Sequence, residues 1–223
     1  MSVSPSASPS STVPVSGASA SAGPGSAGPA FGASVSGASV SGASVSGASV
    51  SGASASATGP APTQADLLDF VRRAAADAEL IASLPLDPEG RTWVRLAGPG
   101  GSEAWLIGWP PGTGTGWHDH AESVGAFLTA SGELTENALA ARLPTDGWTT
   151  LELAQDVDRE RRLTAGQGRS FGRDHVHEVL NESPDRHAIS VHAYYPPLPR
   201  IRRYSRSGQV LRLEQVERPE DWQ

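Results

Sequence analysis

From Arg91 onward the apolar residues fall into short runs rich in β-branched and aromatic side chains, each cut off by Gly or Pro. That punctuation constrains the fold more than any other feature. The runs are Thr92–Leu96, Ala104–Trp109, Ser123–Thr129, Thr149–Leu153, Glu178–Asn181, Ala188–Tyr194 and Val210–Leu213. Strands this short, at this spacing, bury their apolar faces by stacking sheet on sheet or by curling into a barrel, so the expected class is all-β. Ser207-Gly208 marks a hairpin turn before the last run. The stretch Arg200, Arg202, Arg203 and Arg206 alternates with Ile201 and Tyr204, and reads as the polar face of an edge strand.

Ahead of the β region the spacing predicts one amphipathic helix from Gln64 to Ser83. Leu67, Phe70, Val71, Ala74, Ala78 and Ile81 recur at three- and four-residue steps, with Thr63 as N-cap and Pro85 as a stop. Before it the chain changes character. Met1 to Ala61 carries no charged residue, and between Gly32 and Gly52 the unit Gly-Ala-Ser-Val-Ser repeats. Such a tract has too little apolar surface to offset the entropy lost on ordering, so residues 1–61 are expected to be a disordered low-complexity tail. Residues 62–223 then form the working domain, ~160 residues and within the range of a single core.

Charge and composition exclude several functions. The net charge is -7 and all 17 basic residues are Arg, a balance that argues against nonspecific nucleic-acid binding. With no Cys, the chain has no disulfide, thiol nucleophile or thiolate ligand, and any metal must sit on His, Asp or Glu. Met1 is not followed by a basic segment, and Ser and Gly dilute the apolar residues of the head. Neither a signal peptide nor a membrane span is expected, and cytoplasm is the default location.

The chemistry starts at His118-Asp119-His120. Residues two apart on a strand project to one face, so both imidazoles reach a common point inside a barrel while Asp119 looks away. All six histidines lie between His118 and His192, and His175-Val176-His177 forms a second group. A third imidazole from a neighbouring strand, His177 in preference to His175, would complete a facial triad for a divalent metal and leave positions open.

These residues resemble the cupin motifs. Gly112, five residues, His118-Asp119-His120 and a later Gly132 match the first, except that its glutamate slot falls on Val124 or Gly125. Gly166, His177 and Asn181 match the ends of the second, with Gly172 and Asp174 replacing its internal Pro and Gly. A cupin with three histidines and no glutamate ligand is similar to the cysteine dioxygenases. The likeness extends to Ser190-Val191-His192-Ala193-Tyr194, followed by Pro196-Pro197, and to Trp93-Val94-Arg95 ahead of the first motif. It runs from about Thr92 to Pro197. Gly125 stands where animal members carry a Cys crosslinked to the active-site Tyr, as in bacterial members, so no crosslink is expected.

The resemblance implies a double-stranded β-helix (jelly-roll barrel) with one iron(II) on His118, His120 and His177, and O2 as co-substrate. It implies that L-cysteine is oxidised to cysteine sulfinic acid; the chain is expected to be a monomer. Arg95 would bind the substrate carboxylate, with Arg91 as its rival. Tyr194 would act beside the metal, oriented by His192 and Ser190, with Tyr195 as the alternative. Other readings are a dioxygenase of 3-mercaptopropionate or another small thiol, a non-catalytic ligand- or metal-binding cupin, and a zinc or manganese cupin isomerase, for which no general base is evident. Trp105, Trp109 and Trp117 are expected to pack the barrel, with Trp117 a candidate pocket wall.

Overall fold

The structure is a computed structural model that describes residues 60–144 and 147–222, and the repeat-bearing head expected to be a tail lies outside the described residues. Helix α1 (Gln64–Ala75) starts where the sequence places it. Thr63 Oγ1 accepts from the Asp66 N–H at 3.2 Å, and the Asp66 carboxylate accepts from the Thr63 N–H at 2.8 Å, a reciprocal cap. The single helix expected to Ser83 is instead two. Asp77 accepts from the N–H groups of Glu79 and Leu80 and so caps a separate helix, α2 (Ala78–Ala82). A short carboxylate that offers the backbone a cap competes with helix continuation, and apolar spacing does not register that competition. Among the described residues no helix is long and apolar enough to cross a membrane.

Among the described residues twelve strands follow: β1 (Thr92–Ala97), β2 (Glu103–Trp109), β3 (Trp117–Asp119), β4 (Val124–Ser131), β5 (Glu133–Leu139), β6 (Thr150–Glu152), β7 (Asp158–Thr164), β8 (Gly168–Phe171), β9 (His177–Leu180), β10 (Ala188–Tyr195), β11 (Ile201–Ser207) and β12 (Val210–Glu217). They pair into two antiparallel sheets of order β1-β2-β10-β4-β8 and β6-β12-β11-β3-β9-β5-β7. Successive strands such as β3 and β4, or β10 and β11, fall in different sheets, so the chain crosses repeatedly between the two. This is the double-stranded β-helix of the cupin barrel. All seven expected runs are strands. β11 departs from expectation: it lies inside its sheet between β12 and β3, not at an edge.

Three apolar layers result. Between the sheets pack Trp109, Phe127, Leu134, Phe171, Val179 and Tyr194. Leu67 and Val71 of α1 cover Leu106, Leu128 and Val191 on the outer face of the five-stranded sheet. Leu139, Leu153, Tyr204 and Leu211 form a third cluster. The two-residue period of β10 sorts its side chains accordingly: Ile189, Val191 and Ala193 join the α1 layer, while His192 and Tyr194 face the interior cavity.

Candidate metal centre and its pocket

His118 on β3 and His177 on β9 are cross-strand partners, the one register pair by which these strands join. His120 follows directly after β3. The three rings lie with centroids 4.7 to 5.2 Å apart, and each offers a nitrogen within 4.8 Å of the others. All three are buried. Burial, followed by the neighbouring histidines, holds His118 and His120 well below the usual imidazole range, so both are neutral and keep a lone pair. His118 Nδ1 donates to the Gly116 carbonyl at 3.0 Å, which leaves its Nε2 as an acceptor, and His177 Nδ1 donates to a Glu136 oxygen at 3.0 Å. His120 Nδ1 is buried without a hydrogen-bond partner. Converging imidazoles that make no hydrogen bond to one another fit a divalent cation, and the three-His group fits a cupin metal site.

Asp119 looks away from this point, as strand parity requires, and it shapes the turn that holds His120. Its Oδ1 accepts from the Ala121 N–H at 3.0 Å, where Ala121 takes φ +50°. On its other side Arg202 Nε donates to both carboxylate oxygens at 3.1 and 2.9 Å, and Tyr204 donates its hydroxyl at 2.6 Å. Asp174, which stands at the motif's glycine position, adopts φ +57° and also pairs with Arg202 at 3.3 Å. A short Asp tolerates that left-handed conformation better than most residues. Asn181 closes the second motif by donating to the carbonyls of Trp109 and Arg186.

On β10 the inward side chains form a directed hydrogen-bond run. Trp109 Nε1 donates to Ser190 Oγ at 2.8 Å, Ser190 lies 2.8 Å from His192 Nε2, and His192 Nδ1 lies 3.2 Å from the Tyr194 hydroxyl. Burial, then His177, depresses the His192 pKa to about 3, so its ring is neutral and has one N–H. Indole is a donor only, so Ser190 accepts from Trp109. In the His192 tautomer whose Nε2 accepts the Ser190 proton, Nδ1–H donates to Tyr194 and the Tyr194 proton points elsewhere; in the other tautomer Tyr194 donates to Nδ1. Burial, then the Glu103 charge, raises the Tyr194 pKa and keeps that proton in place. The Tyr194 and His120 ring centroids are 4.7 Å apart.

These groups surround a cavity of about 70 Å³. A water takes on the order of 10–15 Å³ by that measure, so the space suits a ligand of roughly half a dozen heavy atoms. Arg95 does not line it: the side chain is exposed, with its guanidinium 5.5 Å from the Trp105 ring centre. Arg91 lines the cavity instead, over Trp109, with its pKa drawn down to about 10 by burial and by Arg203, against the pull of Glu217. Residues 91, 93 and 95 share a parity, but Arg95 pairs with Trp105, farther along the sheet than Trp93 with Ile107. Parity chose the face and could not choose the depth. Trp117 also lies elsewhere, under Arg206, and Trp93, Trp105 and Trp109 form the aromatic wall.

Sequence reasoning missed three charged residues here. Arg203 reaches the cavity from β11, paired with Glu217 and donating to the Thr115 carbonyl at 3.1 Å. Glu103 lines the opposite wall, accepting from Trp105 Nε1 at 2.9 Å and from the Leu198 N–H at 3.0 Å. Glu136, 0% exposed, accepts from His177 and His175 at 3.0 Å each and from Arg169 at 3.2 and 3.0 Å. No period marks these positions, because strands distant in sequence bring them together.

The profile of the cysteine dioxygenase type I family matches residues 49–207 of the chain. No curated protein sequence matches significantly. Among solved structures the chain is similar to an oxalate oxidase, at 19% identity and a TM-score of 0.36, over 48% of this chain and 52% of that one. It thus spans about half the length of that protein. It is also similar to the Cnp3 cupin domain of Schizosaccharomyces pombe, at 10% identity and a TM-score of 0.37, over 51% of this chain and 65% of that one. A third likeness is to a Klebsiella pneumoniae protein with a double-stranded β-helix domain, at 15% identity and a TM-score of 0.37, over 60% and 92% of the two chains.

Proposed function

The chain belongs to the cysteine dioxygenase type I family, and on that premise we propose that it adds both atoms of O2 to the sulfur of a small thiol, L-cysteine first, giving cysteine sulfinic acid. The reaction balances without a further reductant, since a thiolate plus O2 gives a sulfinate. His118, His120 and His177 would hold one iron(II), which when bound would supply the redox chemistry with O2 and a positive charge that favours a thiolate.

The observation that carries the reading is the hydrogen-bond run ending at Tyr194. With His192 as the Nδ1–H tautomer, each donor upstream is committed and the phenol proton is available to a group in the cavity, close to where the three imidazoles meet. A pure binding site has no evident use for a donor oriented through three other side chains. Arg91 would take a substrate carboxylate in two parallel hydrogen bonds. The Glu103 carboxylate favours a thiol that also carries an amine, which supports cysteine over 3-mercaptopropionate.

Oxygen uptake by the iron-loaded protein with L-cysteine, and separately with 3-mercaptopropionate, tests this, with mass spectrometry of the product. The expected product with cysteine is the sulfinate carrying both added oxygens, and Tyr194→Phe is expected to lower kcat by roughly 100- to 10,000-fold, the order found for a single positioned proton donor. No uptake with either thiol, despite one bound iron per chain, would overturn the dioxygenase reading.

A further inference from the structure

The cupin motif places a glutamate directly on the metal, and here that slot falls on Val124 or Gly125. A carboxylate is nonetheless present, one residue farther from the centre. Glu136 on β5 sits behind His177 and accepts its Nδ1–H at 3.0 Å. The same oxygen accepts from His175 Nε2 at 3.0 Å, while His175 stacks on Phe171 with centroids 4.8 Å apart. Arg169 reaches the carboxylate from β8 in the other sheet, and Arg161 contributes a weaker contact at 3.5 Å from the paired strand β7. Burial opposes the charge of Glu136, but the hydrogen bonds from His175 and His177, with Arg169, outweigh it and hold the carboxyl below its usual range. Glu136, His175 and His177 also have the composition of a metal site in their own right. The Arg169 guanidinium, 3.0 Å from Glu136 and 3.5 Å from His175, already supplies the cation there.

We propose that Glu136 is a positioning residue that fixes the His177 ring and passes part of its negative charge through that ring to an ion held by the three histidines. The inference rests on the metal reading above. It assigns to Glu136 the charge that a direct glutamate ligand would have supplied, while leaving that ligand position open. Arg169 acts in opposition, drawing charge out of the carboxylate. A carboxylate hydrogen-bonded to a ligating imidazole raises its basicity, and loss of such a partner commonly weakens metal binding 10- to 100-fold.

The test compares full-length, iron-loaded wild type with Glu136→Gln and Arg169→Gln. Each is measured for Fe(II) affinity by chelator competition and for Fe(III)/Fe(II) midpoint potential by spectroelectrochemical titration, with circular dichroism to check the fold. Gln keeps the accepting oxygen of Glu136 and removes the charge. Glu136→Gln is expected to bind Fe(II) at least tenfold more weakly. Its midpoint is expected to rise, by about 59 mV for each tenfold loss of ferric over ferrous affinity. Arg169→Gln is expected to move the midpoint the opposite way. Because the Arg169 side chain is partly exposed, that variant carries the test even where Glu136→Gln fails to fold. Wild-type potentials in both folded variants, or shifts of the same sign, overturn the inference while iron still binds. Wild type that binds no more Fe(II) than His118→Ala overturns the metal reading as well.

Discussion

A side chain at position 125 has nowhere to go. A Cβ there would lie 2.4 Å from Phe171 Cζ and 3.0 Å from Tyr194 Cδ1, because Gly125 is the cross-strand partner of both residues. The aromatic ring takes the volume that a crosslinking cysteine would need. Gly125→Cys is therefore expected to destabilise by roughly 1–3 kcal/mol through overpacking, and to leave Tyr194 unmodified. Thermal unfolding and an intact mass without loss of two hydrogens check both parts. At this scale the sequence reading of placement was strongest where a two-residue period sets it, as at His118 and His120 or Ser190, His192 and Tyr194. It was weakest where depth along a strand decides, as at Arg91 and Arg95, and where a partner arrives from elsewhere in the chain, as at Glu136.

Elements were legible in proportion to their apolar alternation. The seven apolar runs are strands, whereas β7 reads Asp-Arg-Glu-Arg-Arg-Leu-Thr and gives no such signal. It is held as a strand by full pairing with β5. On β11 Arg202 and Arg203 are adjacent and project to opposite faces, so they serve different tasks: Arg202 is buried on Asp119, and Arg203 enters the cavity. Helix α1 supports β10 from the face opposite His192 and Tyr194. Leu67, fully buried in that layer, is the residue to truncate. Leu67→Ala is expected to cost about 2–5 kcal/mol of stability, with cysteine-dependent oxygen uptake at saturating substrate close to wild type below the unfolding range. Urea melts and uptake rates on the same preparation check the pair of outcomes.

For the whole molecule, the gathering of neutral histidines into one interior sets the acid limit of the metal-free protein. His118 and His120 are held well below 6.5, His175 near 4 and His192 near 3, in each case mainly by burial. Between those values and 6.5 the unfolded chain binds protons that the folded chain refuses. Stability from these groups is thus fully present above about pH 6.5 and is lost as pH falls, by up to about 1.4 kcal/mol per pH unit for each histidine. Glu136 adds to the loss at lower pH, because its carboxyl titrates below the usual range when folded. Urea midpoints at pH 7.5, 6 and 5 are expected to fall more steeply than one histidine allows, and a flat profile would contradict the buried neutral state.

The same interior has a place where a ladder stops. β3 meets β9 through the pair His118 and His177, and the pairing continues only to one side of it, where the Thr115 N–H donates to the Val179 carbonyl at 3.0 Å and Gly114 bridges to Leu180. Two of the candidate ligands thus face each other at the last stitch of that ladder, so an ion there would work as a rivet at its open end. Loading the centre and pinning the end of the ladder would be one mechanical event.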